Sequence, residues 1–236
     1  MEDLRAIRTD RNLLRQQLSE EVASYVREKI ILGEIRPSSF LRLEPIAEAV
    51  GVSNTPVREG LLMLRGEGFL RLVPRRGFLV VPFKPQDIRD IFWAQAELAS
   101  ELCARAAKAI TPAQIVNLER NIEAHHKAIS EGDEEATAFL GFAFHREINR
   151  AADSHRLAFF LDSIARQLPN KFYASIEGEL ALLEEEHPLL IEALRKHNVR
   201  QARSIMERHM LERGEHLIQM LEERGVWDQM EEDEEA

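Results

Sequence analysis

GVSNTPVREG, residues Gly51–Gly60, reads as a turn followed by the first half of a helix. Ser53 is a favourable N-cap, because its hydroxyl can accept from backbone N–H groups two and three positions on. Pro56 falls in the first helical turn, where its missing N–H costs little. Val57, Leu61 and Leu64 follow at helical spacing and form an inward stripe. Asn54, Thr55 and Arg58 are left facing outward near the helix N-terminus. Arginine suits guanine or phosphate, asparagine suits adenine, and threonine suits a thymine methyl or a phosphate. A capped surface helix of no special role carries the same residue types, so the flanking sequence has to decide.

Upstream, Leu18, Val22, Val26 and Ile30 repeat every four residues, one stripe of an amphipathic helix that Gly33 ends. Pro37, Ser38 and Ser39 make a turn, and a second helix is predicted over about 44–50, with Ile46, Ala47 and Val50 inward. Gly51 breaks it, and Ser53 starts the third. Two helices joined by a short glycine-containing turn are the helix-turn-helix pattern. Downstream, Phe69–Val73 and Gly77–Val81 are rich in β-formers, with Pro74-Arg75-Arg76-Gly77 between them. That predicts a hairpin with two arginines at its tip, a wing suited to a phosphate backbone or minor groove. The predicted unit is a winged helix-turn-helix, with Ser53, Asn54, Thr55, Arg58, Arg65, Arg75, Arg76 and Gly77 as its DNA contacts.

The chain has 236 residues, 44% of them hydrophobic and 31% charged, with few glycines and prolines, which points to a mainly α protein. A net charge of −10 argues against a general nucleic-acid binder, but the charge is uneven. Residues 1–82 carry 13 Lys and Arg against 11 Asp and Glu, a net of +2, which leaves −12 for the remainder. Phosphate attraction therefore has to come from the first third. The lone cysteine, Cys103, excludes an internal disulfide. No apolar run approaches the roughly 20 residues of a membrane span, and the N-terminus has no signal-peptide segment. A cytoplasmic protein without a membrane partner is the expectation.

Four regions are expected: a flexible arm over 1–14, the winged domain over 15–82, a helical domain over 83–226, and an acidic tail over 227–236. In the third, helices are predicted over about 85–109, from the capping box at Thr111-Pro112-Ala113-Gln114, and from Asp133 to about 152. Three more are predicted from Ser154 to about 168, over about 179–196, and from Asn198 to about 225. Six antiparallel helices form a bundle, and bundles hold ligand sites between facing helices.

Residues 19–82 resemble the winged-helix domain of GntR-type bacterial transcription regulators. The resemblance is carried by Gly33-Glu34-Ile35-Arg36-Pro37, by GVSNTPVREGLLMLRGEGFL (residues 51–70) and by Pro74-Arg75-Arg76-Gly77. The C-terminal part resembles the FadR-like branch, whose FCD-type helical bundle binds an effector, often a small carboxylate, and commonly a metal ion. The resemblance implies a homodimer, in most cases a repressor, on a short palindromic double-stranded DNA operator. Pairing two domains through symmetry is the usual route to adequate specificity. Two positions depart from the family pattern: Asn54 stands where Arg or Lys is usual, and Gly60 where Ala is usual. A glycine inside a helix costs up to about 1 kcal/mol.

The resemblance also implies a metal site at His145, His187 and His209, three imidazoles on three helices that suit Zn or Ni. The family's aspartate, one turn before the first histidine, is Gly141 here, which offers no ligand. Asn149, one turn after His145, is a candidate to orient a ligand, and Arg213, one turn after His209, a candidate to pair with an anionic effector. Where relatives place an effector-gripping arginine this chain has Trp93, which offers an aromatic wall and one N–H donor or else packs in the bundle core. His125 and His126 are expected on or near the surface, and His216 is a spare ligand candidate. Two readings of other classes stand beside the regulator: a metal-dependent hydrolytic enzyme, and a DNA-binding protein without an effector response. The first lacks a dedicated general base, since Glu147 and Glu186 are only sequence neighbours of the histidines.

Overall fold

No glycine or proline interrupts residues 2–31, and the whole segment is helical as α1 (Glu2–Ile31). The computed structural model describes residues 2–177 and 180–227. Residues 2–14, expected as an arm, are assigned to α1, in keeping with good helix formers and no breaker. The acidic tail lies outside the described residues, apart from Trp227. Packing divides the chain into two units, residues 1–84 with the stretch from Leu221 onward, and Pro85–Met220.

In the first unit α1 is followed by β1 (Phe40–Leu41), α2 (Leu43–Val50), α3 (Asn54–Gly66), β2 (Leu70–Val73) and β3 (Gly77–Val80). The predicted stripe of α1 is largely realised, because Val22, Val26 and Ile30 are buried against Val57, Leu61 and Leu64 of α3. The helix-turn-helix turn is closed by Gly51, whose left-handed backbone (φ 75°) lets its N–H reach Ala47 O. β2 and β3 pair as the predicted hairpin, with Val73 opposite Gly77. The sheet order β1-β3-β2 adds a strand that periodicity cannot reveal, since β1 has only two residues.

Ion pairs join the two ends of the α1–α3 contact. Arg15 Nε donates to Glu59 at 2.8 Å, and the buried Arg27 donates to Glu67 through Nη2 at 2.6 Å. Between them lies Gly60. A Cβ built there would stand 2.7 Å from the Ser19 carbonyl oxygen and 2.9 Å from Val22 Cγ1. The helices touch backbone to backbone, which explains the glycine at this position.

The second unit contains α4 (Pro85–Ala109), α5 (Pro112–Glu131), α6 (Glu134–Ala151), α7 (His155–Ala165), α8 (Asn170–Glu177) and α9 (Leu180–Arg195). It also holds most of α10 (Val199–Glu223). The capping box at Thr111 and the Asp133 cap form as predicted. Ser154 makes no capping bond; its hydroxyl accepts from Arg105 Nη1 at 3.0 Å. The additional helix α8 follows Pro169 and buries Phe172 and Ile176, one turn apart. The core gathers Leu102, Leu118, Phe144, Ile148, Leu194 and their neighbours from α4, α5, α6, α9 and α10. Cys103 is sealed within it, and burial pushes its thiol up to about 12. A second bare contact occurs at Gly214, where a Cβ would stand 2.8 Å from Phe92 Cβ of α4. No helix among the described residues is long and apolar enough to cross a membrane.

Helix propensity alone makes Gly60→Ala stabilising by up to about 1 kcal/mol. The contact with Ser19 and Val22 reverses the sign: the substitution is expected to destabilise by about 1–3 kcal/mol, the usual range for overpacking. Urea unfolding followed by circular dichroism measures this, and a stability equal to or above wild type refutes the close contact.

Candidate functional site

α3 turns two different faces outward and inward. Pro56, Val57, Gly60, Leu61 and Leu64 are buried, while Asn54, Thr55, Arg58 and Arg65 are exposed. Ser53 has the extended backbone of an N-cap, but its hydroxyl makes no capping bond, contrary to expectation. The first turn of α3 thus has no side-chain cap, and a helix N-terminus in that condition presents N–H groups and partial positive charge.

At the wing tip Arg75 takes a left-handed backbone (φ 64°) and Gly77 an open one (φ 101°), and Arg76 N–H closes the turn on Val73 O at 3.1 Å. Arg75 and Arg76 are exposed and Gly77 is half-buried. The Arg76 guanidinium lies over the Phe40 ring, 4.2 Å from its centroid, so β1 steadies one of the two tip arginines. Phe40 was not singled out in the sequence because its strand was not recognised.

In the second unit His145 of α6, His187 of α9 and His209 of α10 come together, each with a potential ligand nitrogen within 4.8 Å of the others. His145 Nε2 and His209 Nε2 are 3.4 Å apart. Two nitrogens bound tetrahedrally at 2.0–2.1 Å stand about 3.3–3.4 Å apart, so this pair matches a zinc-sized ion. His187 Nε2 is buried without a hydrogen-bond partner, which suits a nitrogen that could bind a metal ion. Phe144 stacks on the His187 ring at 4.2 Å and fixes its plane.

His209 is oriented by a carboxylate that spacing did not assign. Its Nδ1 lies 2.7 Å from Glu186 Oε2, which makes Nδ1–H the donor and leaves the Nε2 lone pair facing the cluster. Glu186 does point away from the adjacent His187, as helix geometry requires, and for that reason it reaches across to α10. Burial pushes the Glu186 carboxyl above its usual range. Burial first, and the Arg213 cation second, hold all three imidazoles far below theirs, His145 at about 3. Neutral imidazole is the form that binds a metal ion. Gly141 is buried one turn before His145 and supplies no fourth ligand. The donor set that fits a divalent ion is therefore three imidazoles, with Glu186 behind His209.

Arg213 is buried, and its Nε donates to His209 Nε2 at 2.9 Å. Asn149 is half-buried on α6, one turn beyond His145. Trp93 does not pack in the bundle core: it is 60% exposed, and Phe92 takes the inward position of α4 beside it. His125, expected near the surface, is buried, with Nε2 3.0 Å from Thr137 O. A surface groove of about 560 Å³ between α5 and α9 is lined by Val116, Glu119, Arg195 and neighbours, and by none of the three histidines.

Comparison with known proteins places both units. Residues 18–80 match the model of "Bacterial regulatory proteins, gntR family", and residues 90–212 match that of the "FCD domain". The HTH-type transcriptional repressor RspR of Escherichia coli K12 is 23% identical over 214 residues, 90% of this chain and 94% of the repressor. The HTH-type transcriptional regulator McbR of the same organism is 26% identical, over 75% of this chain and 82% of McbR. The gluconate operon transcriptional repressor of Bacillus licheniformis is 23% identical, over 78% of each chain. Among solved structures, E. coli McbR/YncC superposes with a TM-score of 0.62 at 22% identity, covering 86% of this chain and 98% of that one. These relatives are regulators, not enzymes, and Glu186, the carboxylate beside the histidines, is engaged with His209. With its winged helix-turn-helix and its FCD domain, the chain belongs to the GntR family of bacterial DNA-binding transcription regulators.

Proposed function

We propose that this regulator binds a short two-fold symmetric operator as a homodimer, acts as a repressor, and answers to a small anionic effector held beside a metal ion in the helical bundle. The observation that carries the DNA half is the uncapped, exposed start of α3. Ser53, Asn54, Thr55 and Arg58 stand there with no role in the core. Arg65 extends the same helix, and Arg75, Arg76 and Gly77 form the wing. Asn54 and Arg58 read base edges, while Ser53, the wing arginines and the free N–H groups of the first turn take phosphates. A single domain of this kind reads few base pairs, and two-fold pairing doubles the site. The repressors of known name among the relatives support the direction of control.

The effector half rests on the convergence of His145, His187 and His209. These residues would hold a zinc or nickel ion, which supplies an anchoring charge for an anionic ligand. Glu186 holds His209 in the binding tautomer, and Phe144 holds the His187 plane. Asn149 and Arg213 offer polar groups from α6 and α10 to the same ligand.

Selection of bound duplexes from a random pool is expected to return a two-fold symmetric site. On that site Arg58→Ala is expected to weaken binding by about 1–3 kcal/mol and to relax one base position. Arg75→Ala is expected to weaken all duplexes alike and to reduce the salt slope by about 1. Equal binding of symmetric and scrambled duplexes at moderate salt sinks the regulator-on-operator reading.

For the bundle, zinc titration of metal-free protein is expected to give one site per chain that His187→Ala abolishes. Glu186→Gln is expected to weaken it about 10–100-fold while the circular dichroism spectrum stays unchanged. Unaltered stoichiometry in His187→Ala rejects the three-histidine site.

A further inference from the structure

Strand pairing decides which way Phe40 points. It lies opposite Leu79 in the antiparallel β1–β3 pair. Residues opposite each other in such a pair share a face of the sheet, and successive residues along a strand alternate faces. Phe78 and Val80, the neighbours of Leu79, are buried and mark the core face. Leu79 and Phe40, both half-buried, therefore lie on the outer face of the wing. The backbone before Phe40 is tied to β3, with Ser38 N–H donating to Val80 O at 3.0 Å and Val80 N–H to Ser39 O at 2.9 Å. A phenylalanine on an outer face forgoes part of the gain of apolar burial, so packing alone does not account for it. The ring does meet a cation: the Arg76 guanidinium carbon lies 4.2 Å from its centroid, well inside the roughly 6 Å reach of a cation–π contact.

We propose that Phe40 is a positioning residue of the DNA interface, whose ring holds the exposed Arg76 guanidinium in the pose that meets a backbone phosphate. This rests on the reading of the wing as a DNA contact. A guanidinium is flat, and its N–H donors lie in its plane. A ring against one flat side leaves the donors at the edge able to reach phosphate oxygens. An exposed arginine otherwise samples many rotamers, and any contact that fixes it must offset their loss. Stacking on Phe40 settles part of that loss before DNA arrives, which raises affinity without adding a contact to the DNA.

The effect is blind to sequence. A phosphate contact carries no base information, so Phe40 sets how tightly the regulator holds any duplex and leaves the choice of bases to α3. An uncharged ring displaces no counterions, so the salt dependence of binding follows Arg76 and not Phe40. Arg75, the other exposed tip arginine, is the internal comparison, because the ring acts on Arg76.

The test is a double-mutant cycle on the full chain, read by fluorescence anisotropy with the selected operator duplex and a scrambled duplex over a series of sodium chloride concentrations. Phe40→Leu is expected to weaken binding about two- to fivefold on both duplexes, with the salt slope unchanged. Arg76→Ala is expected to lower the salt slope by about 1 per wing. In the Arg76→Ala background Phe40→Leu is expected to cost nothing further, whereas in the Arg75→Ala background it costs its full factor. Phe40→Trp, which keeps an aromatic face, is expected to bind at least as tightly as wild type. Circular dichroism checks folding; should Phe40→Leu not fold, Phe40→Met and Phe40→Trp decide in the same cycle. Wild-type affinity in Phe40→Leu, or an equal loss with and without Arg76, overturns the inference and leaves the wing as a DNA contact. If Arg75→Ala and Arg76→Ala both bind as wild type does, the wing reading itself fails, and this inference with it.

Discussion

The backbone contact between α1 and α3 at Gly60 is the constraint on which the DNA-binding unit depends. A helix that reads DNA must keep one face dry and the other bare of internal partners. Val57, Leu61 and Leu64 bury the dry face, and the missing Cβ at Gly60 lets Ser19 and Val22 come within contact of the α3 backbone. Apolar burial supplies the attraction, which has no direction of its own. Direction comes from the ion pairs at the two ends, Arg15 with Glu59 and Arg27 with Glu67. These fix the register of α3 along α1, and with it the positions of Asn54, Thr55 and Arg58. None of those three is spent on holding the fold.

The bundle solves a different problem, that of keeping three clustered imidazoles neutral without spending charge. Burial is the main cause of the neutral state of His145, His187 and His209, and the Arg213 cation reinforces it. Glu186 then selects which nitrogen of His209 faces the cluster. Five side chains from three helices thus define a tautomer, a lone pair and a local charge.

What could be read in the sequence was whatever repeats at short range. The four-residue stripe of α1, the capping box at Thr111 and the arginine-tipped hairpin each lie within one element, and the structure realises them. Contacts between elements were hidden. Gly60 looked like a weak helix position because Ser19 is 41 positions away in sequence. Spacing could not bring the three histidines together, and their family resemblance did so. Glu186 was set aside by a correct rule, since it does avoid His187, and its partner on α10 could not be seen. The core reading of Trp93 failed because substitution at a family ligand position says nothing of orientation, and Phe92 takes the inward place. Two-residue β1 and eight-residue α8 are too short for periodicity to stand out.

The sealed position of Cys103 bears on which signals this regulator can sense. Oxidants and electrophiles attack the thiolate, and a thiol pushed up to about 12 inside the core offers only a trace of it at neutral pH. With one cysteine in the sequence there is no second thiol to resolve a sulfenic acid into an intramolecular disulfide. Peroxide or nitrosative stress therefore has no cysteine-based entry into this chain while it is folded, and thiol reagents become a reporter of unfolding, silent until the bundle opens.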